Sequence, residues 1–155
     1  MGHPKKHRSK IEMPKRPYDK MGLKREKKLM QDFGLRRKKE IRSAEALLRN
    51  FRRRARELLA KRNEEKEKTL FLAMKKLGIV PDDAKLEDVL DTKLEHIMSR
   101  RLQTVVYKKG LANSIKHARQ LIVHGHVRMA KKRIVFPAYI VEKEEESGIE
   151  LVKQV

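Results

Sequence analysis

Three histidines, His117, His124 and His126, fall within ten positions of one another. Imidazoles so spaced are the raw material of a metal site. Such a site needs a third or fourth donor, usually a thiolate or a carboxylate. The chain has no cysteine, and no Asp or Glu occurs between positions 99 and 141. The reading is therefore no metal and no cofactor, with the imidazoles left to stack or to hydrogen-bond. No Ser-His-Asp order, phosphate-cradling glycine loop or pair of inward carboxylates stands out. The seven glycines are dispersed and read as helix stops. No catalytic residue is assigned, and the chain is read as not an enzyme. The lack of cysteine also excludes disulfides and thiol catalysis, and suits a cytoplasmic protein.

The surroundings of those histidines say more. The stretch KHARQLIVHGHVRMAKKRIVFP, from Lys116 to Pro137, holds nine Lys, Arg or His residues and no acid. By segment, residues 1–62 carry a net +16, 63–98 a net −3, 99–141 a net +10 and 142–155 a net −3, within a total of +20. A surface that only keeps a protein dissolved intersperses its signs. A run of 43 residues without one acid does not. Self-repulsion of that size opposes compaction, so a polyanionic partner is expected. An anionic membrane is one such partner and nucleic acid another. No apolar run is long enough to span a bilayer. The first ten residues lack the apolar core of a signal peptide, and Lys6 stands where a myristoylation pattern needs Ser or Thr. Aromatics make up only 5% of the chain, so recognition should rest on phosphates and shape more than on base stacking. Tyr107 and Tyr139 read as core aromatics whose hydroxyls reach the surface.

Several elements must position these charges. With 39% hydrophobic and 40% charged residues, the chain can build small cores, and two are expected. Three of five prolines fall before Asp19, so residues 1–19 read as an extended basic arm that orders against a partner. A helix follows from Lys20, with Gly34 as its stop. The strongest helix is SAEALLRNFRRRARELLAKR. Ala44, Leu47, Leu48, Phe51, Ala55, Leu58 and Leu59 form its apolar stripe, and Ser43 is placed to cap it. Arg49, Arg52, Arg53 and Arg56 lie off the stripe, as guanidinium forks suited to phosphate oxygens. Residues 64–77 form a scaffold helix of mixed charge, and Asp82 or Asp83 caps a short one holding Leu86, Val89 and Leu90. A further helix spans Leu94 to Gly110, and another runs from Asn113 or Ser114 to Gly125. HVRMAKKRIVFPAYIV then alternates like a small hairpin.

Two stretches carry a resemblance. RRLQTVVYKKGLANSIKHARQLIVHGHV followed by PAYIV resembles the RNA-binding module of the S-four family of small-subunit ribosomal proteins. HPKKHRSKIEMPKRPYDK and LLRNFRRRARELLA resemble the archaeal and eukaryotic branch of that family. The likeness covers nearly the whole chain, whereas the module alone also occurs on tyrosyl-tRNA synthetases, pseudouridine synthases and heat-shock RNA binders. It implies an α+β, mostly helical fold, with an N-terminal extended arm and helical domain followed by a two-helix plus small β-hairpin module. The expected divisions are 1–19, the arm; 20–93, the helical domain with its acidic spacer; 94–141, the module; and 142–155, an acidic C-terminal segment.

The resemblance implies a structural constituent of the small ribosomal subunit in the cytoplasm. Such a protein binds the 5′ domain of small-subunit rRNA, helps nucleate assembly, adjoins neighbouring small-subunit proteins and contacts the path by which messenger RNA enters. It carries over to Arg100, Arg101, Gln103, Lys108, Asn113, Lys116, Arg119, Gln120, His124 and His126 as RNA-facing positions of the module. Arg128 and Lys132 of the hairpin, and Lys5, Lys6 and Arg8 of the arm, complete the expected RNA contacts. One departure is visible: Ala130-Lys131 replaces the Asn-Gly that a tight hairpin turn prefers, so a longer or bulged hairpin is expected. The rival readings are an RNA-modifying enzyme or an RNA chaperone bearing the same module, and a peripheral membrane protein. The spacer 63–98 is too short and plain for a catalytic domain. No small-molecule substrate and no membrane partner is assigned.

Overall fold

Asp19 starts the first helix. Its carboxylate accepts from the backbone N–H groups of Met21 and Gly22, both at 3.2 Å, so two donors that no helical turn can satisfy are paired. The computed structural model describes residues 11–81, 84–130 and 132–152. Among them, seven helices run in order: α1 (Lys20–Asp32), α2 (Lys38–Ala60), α3 (Glu64–Lys76), α4 (Leu86–Asp91), α5 (Leu94–Ser99), α6 (Leu102–Lys108) and α7 (Ile115–Val123). Three short strands follow, β1 (Val127–Met129), β2 (Lys132–Arg133) and β3 (Ile149–Leu151). The mostly helical α+β class expected from the sequence is the one observed.

Helix α2 is the spine, about 34 Å long at 1.5 Å per residue. Ile41, Ala44, Leu48, Phe51, Ala55 and Leu58 are buried along one stripe. Its two halves serve different cores. Ile41, Ala44 and Leu48 pack with Leu35 and with Ile97 and Met98 of α5. Phe51, Ala55 and Leu58 pack with Leu70 and Met74 of α3 and Leu86 and Val89 of α4. A third cluster, built on Leu102, Val105, Val106, Ala118, Ile122, Val127, Val141 and Ile149, belongs to the C-terminal part. Three apolar clusters thus replace the two expected, because one long stripe reaches past a single packing layer.

The helix starts differ from expectation. Ser43 lies inside α2, its hydroxyl bonded back to the Lys39 carbonyl at 2.9 Å. The start of α2 is held instead by Glu40, whose carboxylate accepts from the N–H groups of Arg36 and Arg37 at 3.3 Å. Asp88 does the same for Lys85 N–H at 2.8 Å before α4; Asp82 and Asp83 lie outside the described residues. The single helix expected over 94–110 is two. Arg101 breaks it by forming a β-bridge with Ile140, and the next residue's N–H donates to the Tyr139 carbonyl at 2.7 Å. The apolar stripe continues across the break because both pieces face interior clusters.

The sheet has order β2–β1–β3, antiparallel throughout. Met129 pairs with Lys132, so the pairing leaves two positions between the strands and no lengthened connection, although Lys131 lies outside the described residues. Ala130 takes the left-handed φ of 47° that such a turn needs. Strand β3 comes from the acidic segment, where no strand was expected. Its Ile149 side is buried against β1, which ties that segment to the module's core.

Candidate nucleic-acid interface

The exposed cations fall into two groups set by two elements. On α2, Arg49, Arg53 and Arg56 are exposed at spacings of four and three, which puts them along one face. They line a trough of about 980 Å³ between α2 and residues Ile11 and Glu12 of the arm. There the arm is seated by ion pairing of Glu12 with Arg49 at 3.5 Å and by Arg42 against the Met13 sulfur at 2.8 Å. Among the described residues Arg53 has only loose partners, Glu57 at 3.7 Å and Asn50 at 3.4 Å. Around the α2–α3 elbow, Arg54, Lys61, Arg62 and Lys66 rim a second cavity of about 690 Å³ floored by Leu58 and Leu70.

In the C-terminal part, Lys116, Gln120 and His124 are exposed at successive intervals of four along α7 and its end, one line on one face. Ser114 caps this helix, accepting from His117 N–H at 3.1 Å. Lys108, Asn113, Arg128 and Lys132 are exposed as well. His126 is half-buried, its ring 6.2 Å from that of His124 and nearly parallel to it. Among the described residues no cluster of His, Asp or Glu could hold a metal. Tyr139 packs on the module's core with its hydroxyl 3.0 Å from the Glu145 carboxylate, and burial together with that carboxylate pushes its pKa up. Tyr107 is exposed.

Several expected contacts lie elsewhere. Arg101 and Gln103 are interior, at 4% and 1% exposure. Arg101 donates to Glu40 at 2.5 Å. The Gln103 amide donates to the carbonyls of Gly34 and Ile115, both at 3.0 Å. Arg119 is half-buried on Glu40. Arg100 is held by Glu146 at 2.7 Å and by the Val141 carbonyl at 3.1 Å. Arg52 turns inward to donate to the Thr92 carbonyl at 2.7 Å. The reason is common to all five: each sits beside an acceptor delivered by a distant part of the chain, and a polar group drawn out of water needs one. Burial acts to raise the Glu40 pKa, but the hydrogen bond from Arg119 and the charges of Arg101 and Arg119 outweigh it, and the carboxyl is held below its ordinary value. Lys5, Lys6 and Arg8 lie outside the described residues.

Some exposed cations were not singled out from the sequence. Arg54, Lys61 and Arg62 stand apart from the Arg49, Arg53 and Arg56 face and rim the cavity at the α2–α3 elbow. Arg133 is a different case. Its guanidinium donates to the carbonyls of Gly125 at 2.6 Å and His124 at 3.2 Å, closing the C-terminus of α7 where a cation is favoured. Gly125 permits this twice over: its φ is +76°, and a Cβ there would lie 2.2 Å from Arg133 Nε.

Residues 100–147 match the family model described as S4 domain. The small ribosomal subunit protein uS4 of Hyperthermus butylicus is 49% identical to this chain over 153 residues, covering 97% of the chain and 87% of that protein. The uS4 protein of Ignicoccus hospitalis is 50% identical, covering 96% and 92%. That of Methanothermobacter thermautotrophicus is 43% identical, covering 96% and 89%.

Proposed function

Because the chain belongs to the uS4 family of small ribosomal subunit proteins, we propose that it is a structural, non-enzymatic constituent of that subunit and binds its ribosomal RNA. The observation that carries this reading is the span of the likeness. It covers 96–97% of the chain, not the S4 domain alone, and so includes the α2 helix, whose exposed arginine face carries only long, solvent-exposed pairs among the described residues, Glu12 with Arg49 at 3.5 Å and Glu57 with Arg53 at 3.7 Å. Fixed guanidinium and ammonium groups on α2 and on the S4 domain meet phosphates of a folded RNA, and release of its counterions supplies much of the affinity. Ile11, Glu12 and Met13 sit along α2, and Lys5, Lys6 and Arg8 are proposed as further contacts with the same RNA.

We further assign the 5′ domain of small-subunit rRNA as the target and early assembly as the stage of binding. Contacts follow with neighbouring ribosomal proteins and with the path by which messenger RNA enters. The residues proposed to touch RNA are Arg49, Arg53 and Arg56 on α2, and Lys108, Asn113, Lys116, Gln120, His124, Arg128 and Lys132 on the module. The test is competition binding of the full chain to a 5′-domain transcript against heparin and a shuffled RNA, with immunodetection in salt-washed small subunits. Preferred binding to the transcript and retention in subunits are expected. Equal binding to heparin, with absence from washed subunits, overturns the reading.

A further inference from the structure

We propose that Glu40 is a positioning residue for RNA binding: it fixes the angle between the helical domain and the S4 domain by holding Arg101 and Arg119 against the start of α2. The proposal rests on the RNA-binding reading above and divides the basic residues into those that touch RNA and those that orient the ones that do.

Every lone pair that Glu40 can offer is engaged. Oε2 accepts from Arg101 at 2.5 Å and from Arg119 Nη1 at 3.1 Å. Oε1 accepts from Arg119 Nη2 at 3.1 Å and from the backbone N–H groups of Arg36 and Arg37. Arg119 thus grips the carboxylate with two prongs, the geometry that confers direction as well as attraction. It also donates to the Gln103 side-chain oxygen at 3.2 Å, while the Gln103 nitrogen reaches the Gly34 carbonyl in the α1–α2 connection. Both ends of the network therefore cross between the helical domain and the S4 domain. Gly34 leaves room for this approach, since a Cβ there would stand 2.8 Å from Ile115 Cγ2.

Other contacts join the same parts. Ile97, Met98 and Ile140 pack with Ile41 and Ala44, and Lys143 N–H donates to the Lys76 carbonyl at 2.8 Å. The apolar contact supplies attraction without directional bonds, and the single hydrogen bond can act as a pivot. The charged network is what resists rotation about that pivot. Nor can Arg101 and Arg119 serve phosphates at the same time. A phosphate drawing them away would leave a buried carboxylate unpaired beside a second anion.

A rigid RNA needs both basic faces at once, so loss of the angle lowers the binding-competent fraction and raises the apparent Kd in proportion. The number of phosphates contacted does not change. The chain has no cysteine, so Leu59→Cys and Val123→Cys, exposed and uncharged, place one label on each part. The full chain is titrated with 5′-domain transcript at four salt concentrations, and the label-to-label distance distribution is measured without RNA. For Glu40→Gln and Arg119→Ala, binding weakened about 5- to 20-fold, an unchanged log–log salt slope and a broadened distance distribution are expected. Lys116→Ala, an exposed cation on α7, should lower the slope by about 0.7–0.9 and leave the distances alone. The proposal is overturned if Arg119→Ala lowers the slope as Lys116→Ala does, or if Glu40→Gln leaves the distances as narrow as before. If Glu40→Gln does not fold, Arg119→Lys, which keeps the charge and loses the two-pronged grip, carries the same readings. Failure of the wild type to select the transcript would refute the RNA reading, while the distance measurement still decides the latch.

Discussion

Arg52 and Arg53 are adjacent in sequence, equal in charge and opposite in placement. Arg52 is half-buried and donates to the Thr92 carbonyl at 2.7 Å, where Thr92 is itself 3% exposed. Arg52→Ala removes a charged donor and leaves that carbonyl without it, which costs about 1–2 kcal/mol. For a chain of this size that lowers the melting temperature by about 3–6 °C. Arg53 is exposed, and its ion pair with Glu57 is 3.7 Å long with both side chains about two-thirds exposed, so Arg53→Ala should leave the melting temperature unchanged. In RNA binding the order reverses. Arg53→Ala removes one phosphate contact and lowers the log–log salt slope by about 0.7–0.9, while Arg52→Ala keeps the wild-type slope. The assays are thermal unfolding followed by circular dichroism and filter binding at four salt concentrations. If Arg52→Ala melts like wild type and flattens the salt dependence, the inward placement of Arg52 is wrong. If Arg53→Ala leaves the slope untouched, the α2 face is not part of the interface.

Glu40 carries a pH signature. Its folded pKa lies below the ordinary 4.5, so its stabilisation is complete above that value and is lost as pH falls through the folded pKa; the melting gap between wild type and Glu40→Gln should close on acidification below about pH 4.5. Gly125→Ala should destabilise more than Gly110→Ala. Both glycines have positive φ, which costs about 1 kcal/mol for alanine, but only at Gly125 does the new methyl strike Arg133, and Gly110 has nothing within 4 Å. Chemical denaturation of the two variants side by side checks the order. Ala130→Gly should stabilise the hairpin slightly, by up to about 1 kcal/mol, because Ala130 holds a φ of 47°; a lower melting temperature would count against the tight turn. Ile97→Ala, at a fully buried site between α2 and α5, should cost about 2–5 kcal/mol in urea unfolding.

The helices, the two basic blocks and the stops at Gly34, Gly78, Gly110 and Gly125 are legible in the chain because each depends on neighbours within about one turn. An apolar stripe, a capping serine such as Ser114 and a glycine at positive φ are local events. The same local logic misplaced the start of α2, since Ser43 is as good a capping residue as any and nothing nearby shows that Glu40 does the work from inside the helix. It ran straight through Arg101, because the apolar stripe continues on both sides of the break that Ile140 imposes. It also passed over β3, whose three residues become a strand only when β1 lies beside them. The largest gap concerns charge. Composition points to a polyanionic partner, since 41 Lys and Arg meet only 21 Asp and Glu. It does not say which cations touch that partner. Arg101 and Arg119 turn to a carboxylate 61 and 79 residues away, and Arg52 to a carbonyl 40 residues on, while Arg53 and Lys116 face solvent. Helical periodicity sorts side chains by face. Only the packing of distant segments decides whether an acceptor waits on that face, and burial makes that acceptor obligatory.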